Sequence, residues 1–244
     1  MTITPTSTFQ AEPVQEDADG VIFPPGNLYS DEPPLETDLH RDQIDLLIRL
    51  LRWAWKERQD FYVSGNTTVY YSPDQVKSRD FRGPDFYVVL GAENRPRRSW
   101  VLWEEDGVYP HVIVELLSDS TASVDRGAKK QLYQNTFRTP EYFWFDPHSL
   151  EFEGFVLMAG LYEAIAPNEQ GWRWSQQLQL FLGIYEGQLR FFTPEGELVP
   201  TPEESSDAER QRAEAERQRA EAERQQKERL AAKLRELGID PDTV

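Results

Sequence analysis

The chain has 244 residues, of which 39% are apolar and 12% aromatic, so it can bury one sizeable core and still leave segments outside it. It contains no cysteine, which excludes a disulfide framework, a thiolate metal site and a cysteine nucleophile. The net charge of −17 counts against a broad nucleic-acid-binding surface, but it leaves room for a small site where metal ions offset the repulsion.

The sequence contains no sign of membrane insertion or export. No stretch approaches the roughly 20 consecutive apolar residues that a membrane-spanning helix requires. Residues 1–19 have neither the basic region nor the apolar region of a secretory signal. We therefore expect a cytoplasmic protein with no membrane partner.

The first part of the chain predicts an arm followed by the start of a core domain. Residues 1–37 are rich in Pro, Asp, Glu and Thr, which is typical of a flexible arm. The core is expected over residues 38–200, and it opens with a helix over 38–57 in which apolar residues recur every three to five positions. Short strands are then expected at 61–63, 67–71, 86–90, 100–103, 112–117 and 141–145.

The second half of the core predicts one more helix and several more strands. A helix over 126–137 lies between two predicted strands, and as a right-handed crossover it would make them parallel. After residue 150, Gly and Asn turns separate β-like segments and predict an antiparallel meander. The expected fold class is α+β (mixed α/β), with a mixed central sheet flanked by helices. The meander segments are 152–158, 161–165, 172–174 and 189–192.

Residues 201–244 predict a separate helical tail. A seven-residue pattern of Ala, Glu, Arg and Gln occurs at 213–219 and again at 220–226. Only the end of the tail is apolar, so a solvated single helix is the favoured interpretation. The alternative is a coiled-coil or partner-docking helix that uses Leu230, Leu234 and Leu237, with Gly238 as its C-terminal cap.

Two acidic residues stand in runs that should be buried. Glu115 lies inside an apolar strand, and Asp85 opens another. A buried carboxylate is costly unless it is paired or binds a metal, and Mg²⁺ prefers oxygen ligands of this kind. Lys129 and Lys130 follow on the next helix, where they should point about 100° apart, so only one can face the acids. This arrangement indicates a metal-dependent phosphodiesterase centre, although both lysines could instead face solvent.

Other polar residues have less distinctive interpretations. Asp125 is expected to cap the helix after the Glu115 strand, in preference to binding a metal. The basic cluster of Arg95, Arg97 and Arg98 could contact phosphates or form a solvated loop, and the sequence does not rank these alternatives. The histidines show no zinc-ligand spacing, and there is no phosphate-binding glycine loop.

Several motifs occur in an order that resembles a known family. They are Gly83-Pro84-Asp85 and the segments 114–118, 125–129, 132–133 and 140–147. Together they resemble the Uma-type restriction endonucleases of the PD-(D/E)XK nuclease superfamily, which are abundant in photosynthetic bacteria. The resemblance covers roughly residues 40–195.

The resemblance implies a restriction-endonuclease-like core built on a mixed four-stranded sheet. It also implies hydrolysis of nucleic-acid phosphodiesters, with DNA as the expected partner, Mg²⁺ as cofactor and Mn²⁺ as a substitute. Asp85 and Glu115 match the two metal-binding acids. The simplest superfamily pattern has a lysine two residues after the second acid, where this chain has Leu117, so the lysine would come from the helix, as Lys129.

Two functional hypotheses remain open from sequence, and a third, a nuclease that needs a partner subunit for target recognition, lies between them. In the first, the protein is a Mg²⁺-dependent endonuclease in which Asp85, Glu115 and Lys129 are catalytic, and homodimerisation would place two sites on two strands. In the second, it is a non-catalytic interaction protein on the same fold that assembles through its C-terminal helix. The distance from the Lys129 ammonium to the two carboxylates discriminates between them.

Overall fold

The computed structural model describes residues 26, 28–30, 37–72, 83–118 and 122–236. Most of the predicted arm, together with Leu237 and Gly238 of the predicted tail, lies outside these ranges. The chain divides into two units, Met1–Val199 and Pro200–Val244.

The core unit begins with helix α1, Asp38–Ala54. Thr37 caps it, because its hydroxyl accepts a hydrogen bond from the backbone N–H of His40. The helix ends three residues before its predicted end, since Trp55 already leaves the helical conformation. Its inward-facing side includes Ile44, Leu47, Leu50 and Leu51, which are all buried.

A six-stranded sheet forms the centre of the core unit, and its strand order is β1-β3-β5-β6-β7-β8. Strands β5 and β6 are parallel, and every other neighbouring pair is antiparallel. The prediction of an α+β fold with a mixed sheet is therefore confirmed, although the sheet has six strands instead of four. The strands are β1 Phe61–Ser64, β3 Phe86–Leu90, β5 Val112–Leu116, β6 Glu141–Phe145, β7 Phe152–Met158 and β8 Leu161–Ala164.

The connection between the parallel strands is a helix over residues 122–137, here called α2. Its turns alternate between α-helical and wider π-helical geometry, with π-helical turns at Asp125–Lys129 and Tyr133–Phe137. The predicted parallel pairing of the two strands is confirmed, but the helix starts four residues earlier than predicted, at Ala122. It ends at Arg138, which adopts a left-handed conformation with φ 54°.

Alternate residues of the central strands face two separate layers. The first layer, the α1 face, contains Phe86, Val88, Val112, Val114 and Leu116 and packs on α1. The second, the α2 face, contains Tyr87, Val89, Ile113 and Leu117 and packs on α2. Because both faces are covered, the strands are apolar almost throughout, and a charged residue within them is conspicuous.

The predicted single meander is wrong, because its strands belong to two sheets. β7 and β8 extend the central sheet, whereas β9 Arg173–Ser175, β10 Leu180–Tyr185 and β11 Gln188–Phe192 form a separate antiparallel sheet on the α1 face. The prediction did not include β10. Glu141 anchors the turn after β9, since its carboxylate accepts hydrogen bonds from the Ser175 hydroxyl and from the backbone N–H of Gln176 at 2.7 Å.

Two short segments near α2 also differ from their predictions. β2 (Val69–Tyr70) pairs in parallel with β4 (Trp100–Val101), apart from the central sheet. The predicted strand at 100–103 is shorter than expected, because Leu102–Glu104 turns into a 3₁₀-helix.

The second unit contains helix α3, Pro202–Glu236, which is 35 residues long and has no buried residue. Thr201 and Glu204 form a capping box: the Glu204 N–H donates to the Thr201 hydroxyl at 3.1 Å, and the Glu204 carboxylate accepts from the Thr201 N–H at 2.7 Å. Leu230 is 55% exposed, which fits a solvated helix. Among the described helices, none combines the length and apolar character needed to cross a membrane.

Candidate metal centre

Asp85 and Glu115 come together because their strands are neighbours. Phe86 of β3 lies opposite Val114 of β5, so one further step in this register places Asp85 opposite Glu115 on the α2 face. The Asp85 carboxylate accepts a hydrogen bond from the Leu116 N–H at 2.7 Å, and the Asp85 N–H lies 3.4 Å from Glu115 Oε2. Glu115 is fully buried, whereas Asp85 is partly exposed.

A tight turn between β1 and β2 supports the Asp85 backbone. The Asn66 N–H donates to the carbonyl groups of Pro84 and Asp85, at 3.1 and 3.2 Å. Gly65 allows this approach, because a β-carbon at position 65 would lie only 2.3 Å from the Asp85 carbonyl oxygen. Asp85 is therefore held from both sides, by β5 and by this turn.

Helix α2 contributes three polar side chains to the same site. The Lys129 ammonium lies 3.0 Å from Glu115 Oε2 and 2.8 Å from Asp125 Oδ1. The Tyr133 hydroxyl donates to Glu115 Oε1 at 2.6 Å. In an α-helix, residues four apart drift by about 40° around the axis. The wider π-helical turns reduce this drift, so Asp125, Lys129 and Tyr133 stay on one side of the helix.

Lys130 points away from the carboxylates. Its ammonium lies over the ring of Phe155, 3.3 Å from the ring centroid, and 5.3 Å from the centroid of Trp144. Of the two adjacent lysines, the structure therefore brings only Lys129 to Asp85 and Glu115.

Burial and crowding of charge shift the pKa values of the site residues. Burial raises the pKa of Glu115 to about 7; Asp85 adds to this rise, and Lys129 and Tyr133 oppose it. Burial likewise raises the pKa of Asp85, against the opposing effect of Lys129. Burial lowers the pKa of Lys129, but the carboxylates of Glu115, Asp85 and Asp125 outweigh burial, so its pKa is raised overall.

The donor set fits a divalent cation of the Mg²⁺ type. Asp85, Glu115 and Asp125 bring three carboxyl groups to a single ammonium group, so the fully ionised site has an excess of negative charge. Across the described ranges, no three acidic, histidine or cysteine side chains are grouped so that together they could hold a metal ion. Mg²⁺ does not require such a group, since it is commonly held by one or two carboxylates and completes its shell with water and substrate oxygens.

Two residues of the site were not identified from sequence. The predicted role of Asp125 as a helix cap is wrong, because the helix begins at Ala122 and Asp125 lies inside it, buried and in contact with Lys129. Tyr133 was not considered as a site residue. The four-residue spacing of Asp125, Lys129 and Tyr133 is the signal in the sequence that could have identified both.

The basic cluster before β4 has a structural role at one position. The Arg97 side chain is only 3% exposed, and its guanidinium pairs with both carboxylate oxygens of Glu105 at 2.6 and 2.9 Å. It also stacks on the rings of Tyr62 and Trp100. Arg97 is therefore not a surface phosphate contact, whereas the neighbouring Arg95 is 46% exposed.

Comparison with known proteins shows the family of the chain. Residues 8–185 match the family model Uma2, whose description is "Putative restriction endonuclease". The chain belongs to the Uma2 family. The Uma2 match contains Asp85, Glu115 and all of α2, and it ends before α3.

A solved structure is similar to this Uma2 chain. A crystal structure described as a putative nuclease belonging to DUF820, from Anabaena variabilis ATCC 29413, is 12% identical; the alignment covers 59% of this chain and 76% of that chain, with a TM-score of 0.43. No protein of curated function matches the sequence.

Proposed function

We propose that this protein is a Mg²⁺-dependent endonuclease that hydrolyses phosphodiester bonds of nucleic acid, with DNA as its substrate and Mn²⁺ as a substitute for Mg²⁺. The observation that carries the proposal is the Lys129 ammonium, 3.0 Å from a buried glutamate that sits opposite Asp85. Membership of the Uma2 family adds support for the reaction class.

Asp85 and Glu115 are the residues proposed to hold the cation. When bound there, a divalent ion supplies an activated water and offsets negative charge on the phosphate. Asp85 is partly exposed, which gives the site access to solvent, while Glu115 forms its buried floor. Tyr133 fixes the orientation of Glu115 by donating to Oε1.

Lys129 is proposed to stabilise negative charge as the phosphodiester reacts. Its raised pKa keeps the ammonium protonated at neutral pH, so it suits electrostatic stabilisation and not proton abstraction. The 16% exposure of its side chain leaves a path to a substrate phosphate at the surface.

The alternative of a non-catalytic interaction protein predicts a lysine out of reach of the carboxylates. The contact between Lys129 and Glu115 supports the endonuclease over this alternative.

The proposal is tested by cleavage of supercoiled plasmid DNA with Mg²⁺ or Mn²⁺, with single-stranded DNA and RNA as parallel substrates. Lys129→Met should reduce metal-dependent cleavage by on the order of 10²-fold, because it removes a charge aimed at the reacting phosphate. Lys130→Met is the matched control and should retain cleavage, since Lys130 lies over Phe155. Absence of metal-dependent cleavage by the wild type on all substrates, or equal activity of both variants, would contradict the proposal.

A further inference from the structure

The Lys129 ammonium directly contacts two carboxylates, Glu115 of the proposed metal site and Asp125 outside it. Asp125 Oδ1 lies 2.8 Å from the ammonium, and Glu115 Oε2 lies 3.0 Å from it. Asp125 stands one helical turn before Lys129, and its side chain is 1% exposed. An aspartate in so buried a position would be costly without a cation beside it.

The arrangement at Glu115 creates a competition between cations. Tyr133 already occupies Oε1, so Oε2 is the oxygen that Glu115 can offer to a metal ion. The same Oε2 is the one that contacts Lys129. An ammonium group and a divalent ion on one carboxylate oxygen repel each other strongly at low dielectric. A second anion next to Lys129 reduces this repulsion, provided that it binds the ammonium and does not itself bind the metal ion.

We propose that Asp125 is a positioning residue for Lys129, holding its ammonium group so that Glu115 Oε2 is free to bind the metal ion. The inference rests on the proposed function, because it requires a cation at Glu115. In this account Asp125 is not a metal ligand, and it acts on metal affinity only through Lys129.

A double-mutant cycle separates this role from direct ligation. Binding of Mn²⁺ is measured by calorimetry for the wild type, Asp125→Asn, Lys129→Met and the double variant, with thermal unfolding to verify that each is folded. Asp125→Asn should weaken Mn²⁺ binding about tenfold, because the ammonium then pairs with Glu115 alone. In the Lys129→Met background the same substitution should change the affinity by less than about threefold.

The other outcomes of the cycle overturn the inference. An equal loss of affinity in both backgrounds would make Asp125 a metal ligand, and no loss in either would leave it a purely structural residue. If the wild type binds no Mn²⁺, the proposed function itself fails and the inference fails with it. Asp125→Glu keeps the anion and should retain at least part of the wild-type affinity.

A measurement on the wild type covers the case in which Asp125→Asn does not fold. The side-chain nitrogen of Lys129, observed by NMR in lysine-labelled protein, should shift as Mg²⁺ is added and saturate with the binding curve of the metal. It should remain in its protonated form throughout, because Asp125 still neutralises it. A Lys129 signal that does not respond to bound metal would overturn the inference.

Discussion

At the scale of single residues, Glu115 is the most constrained side chain of the site. Tyr133 contacts one of its carboxylate oxygens and Lys129 the other, and no part of the residue reaches solvent. Its ionised form therefore depends on a few polar neighbours within a region that otherwise disfavours charge.

The raised pKa of Glu115 predicts how stability varies with pH in the metal-free protein. The pKa is about 7 in the folded chain and about 4.5 when unperturbed, so the folded state binds more protons between these values. The free energy of unfolding should therefore fall as the pH rises from about 4.5 to about 7, and Asp85 should act in the same direction. Urea denaturation at a series of pH values measures this decline.

Glu115→Gln provides the comparison for that experiment. The variant lacks the titrating group, so its unfolding free energy should decline less over the same pH range. Parallel curves for the two proteins would show that Glu115 titrates at its ordinary pKa.

Tyr133→Phe should destabilise the protein by about 1–3 kcal/mol, because it leaves a buried carboxylate oxygen without its donor. The matched control is Tyr162→Phe, whose hydroxyl donates to the neutral carbonyl of Thr139. Its expected cost is smaller, about 1 kcal/mol. Urea denaturation at neutral pH measures both, and a smaller effect at Tyr133 than at Tyr162 would contradict the account.

The sequence could predict the acids of the site but not all of their partners. Asp85 and Glu115 stand out because a charge in an apolar strand is unusual, whatever the details of the fold. The role of Asp125 depends on where the helix begins, and a four-residue error in that start turned a buried ion-pair partner into a helix cap. Tyr133 has an aromatic ring suited to the core, so only its position beside Lys129 on α2 reveals its hydroxyl as a donor.

At the scale of elements, the site is formed where β3, β5 and α2 meet. The parallel pairing of β5 and β6 was predictable, because a helix that joins two strands of one sheet usually forms a right-handed crossover, and such a crossover makes the strands parallel. The separate sheet of β9, β10 and β11 was not, since short apolar segments between turns do not specify their pairing partners. The contacts that hold this sheet against the core join residues that are far apart in sequence. Glu141, for example, accepts a hydrogen bond from Ser175, which follows it by more than 30 residues.

An ion pair between Arg97, before β4, and Glu105, after the 3₁₀-helix, should matter for stability. Arg97→Ala should lower the free energy of unfolding by about 2 kcal/mol, because it removes both hydrogen bonds of Arg97 to Glu105, which then keeps only Arg95, and a cation that stacks on two rings. Arg95→Ala, at an exposed position, is the control and should cost less than about 1 kcal/mol. Similar costs for both, measured by urea denaturation, would contradict the structural role of Arg97.

At the scale of the whole molecule, the two units should be thermodynamically separable. Helix α3 has no buried residue, so deletion of residues 200–244 should leave the midpoint of thermal unfolding of the remainder within a few degrees of the full chain. Circular dichroism should show the loss of the helical signal of the tail. A large drop in the unfolding midpoint would contradict separability.

Light scattering of the full chain and of the shortened protein tests the predicted homodimer. A smaller assembly after deletion would assign the dimer contact to α3.

The central claim is that Asp85 and Glu115 hold a divalent cation, and anomalous scattering tests it most directly. Crystals are soaked in Mn²⁺ and data are collected for the wild type and for Glu115→Gln. The account predicts an anomalous peak between the carboxyl groups of Asp85 and Glu115 that is lost or strongly reduced in the variant. A wild-type site without a peak, or one equally occupied in both proteins, would contradict it.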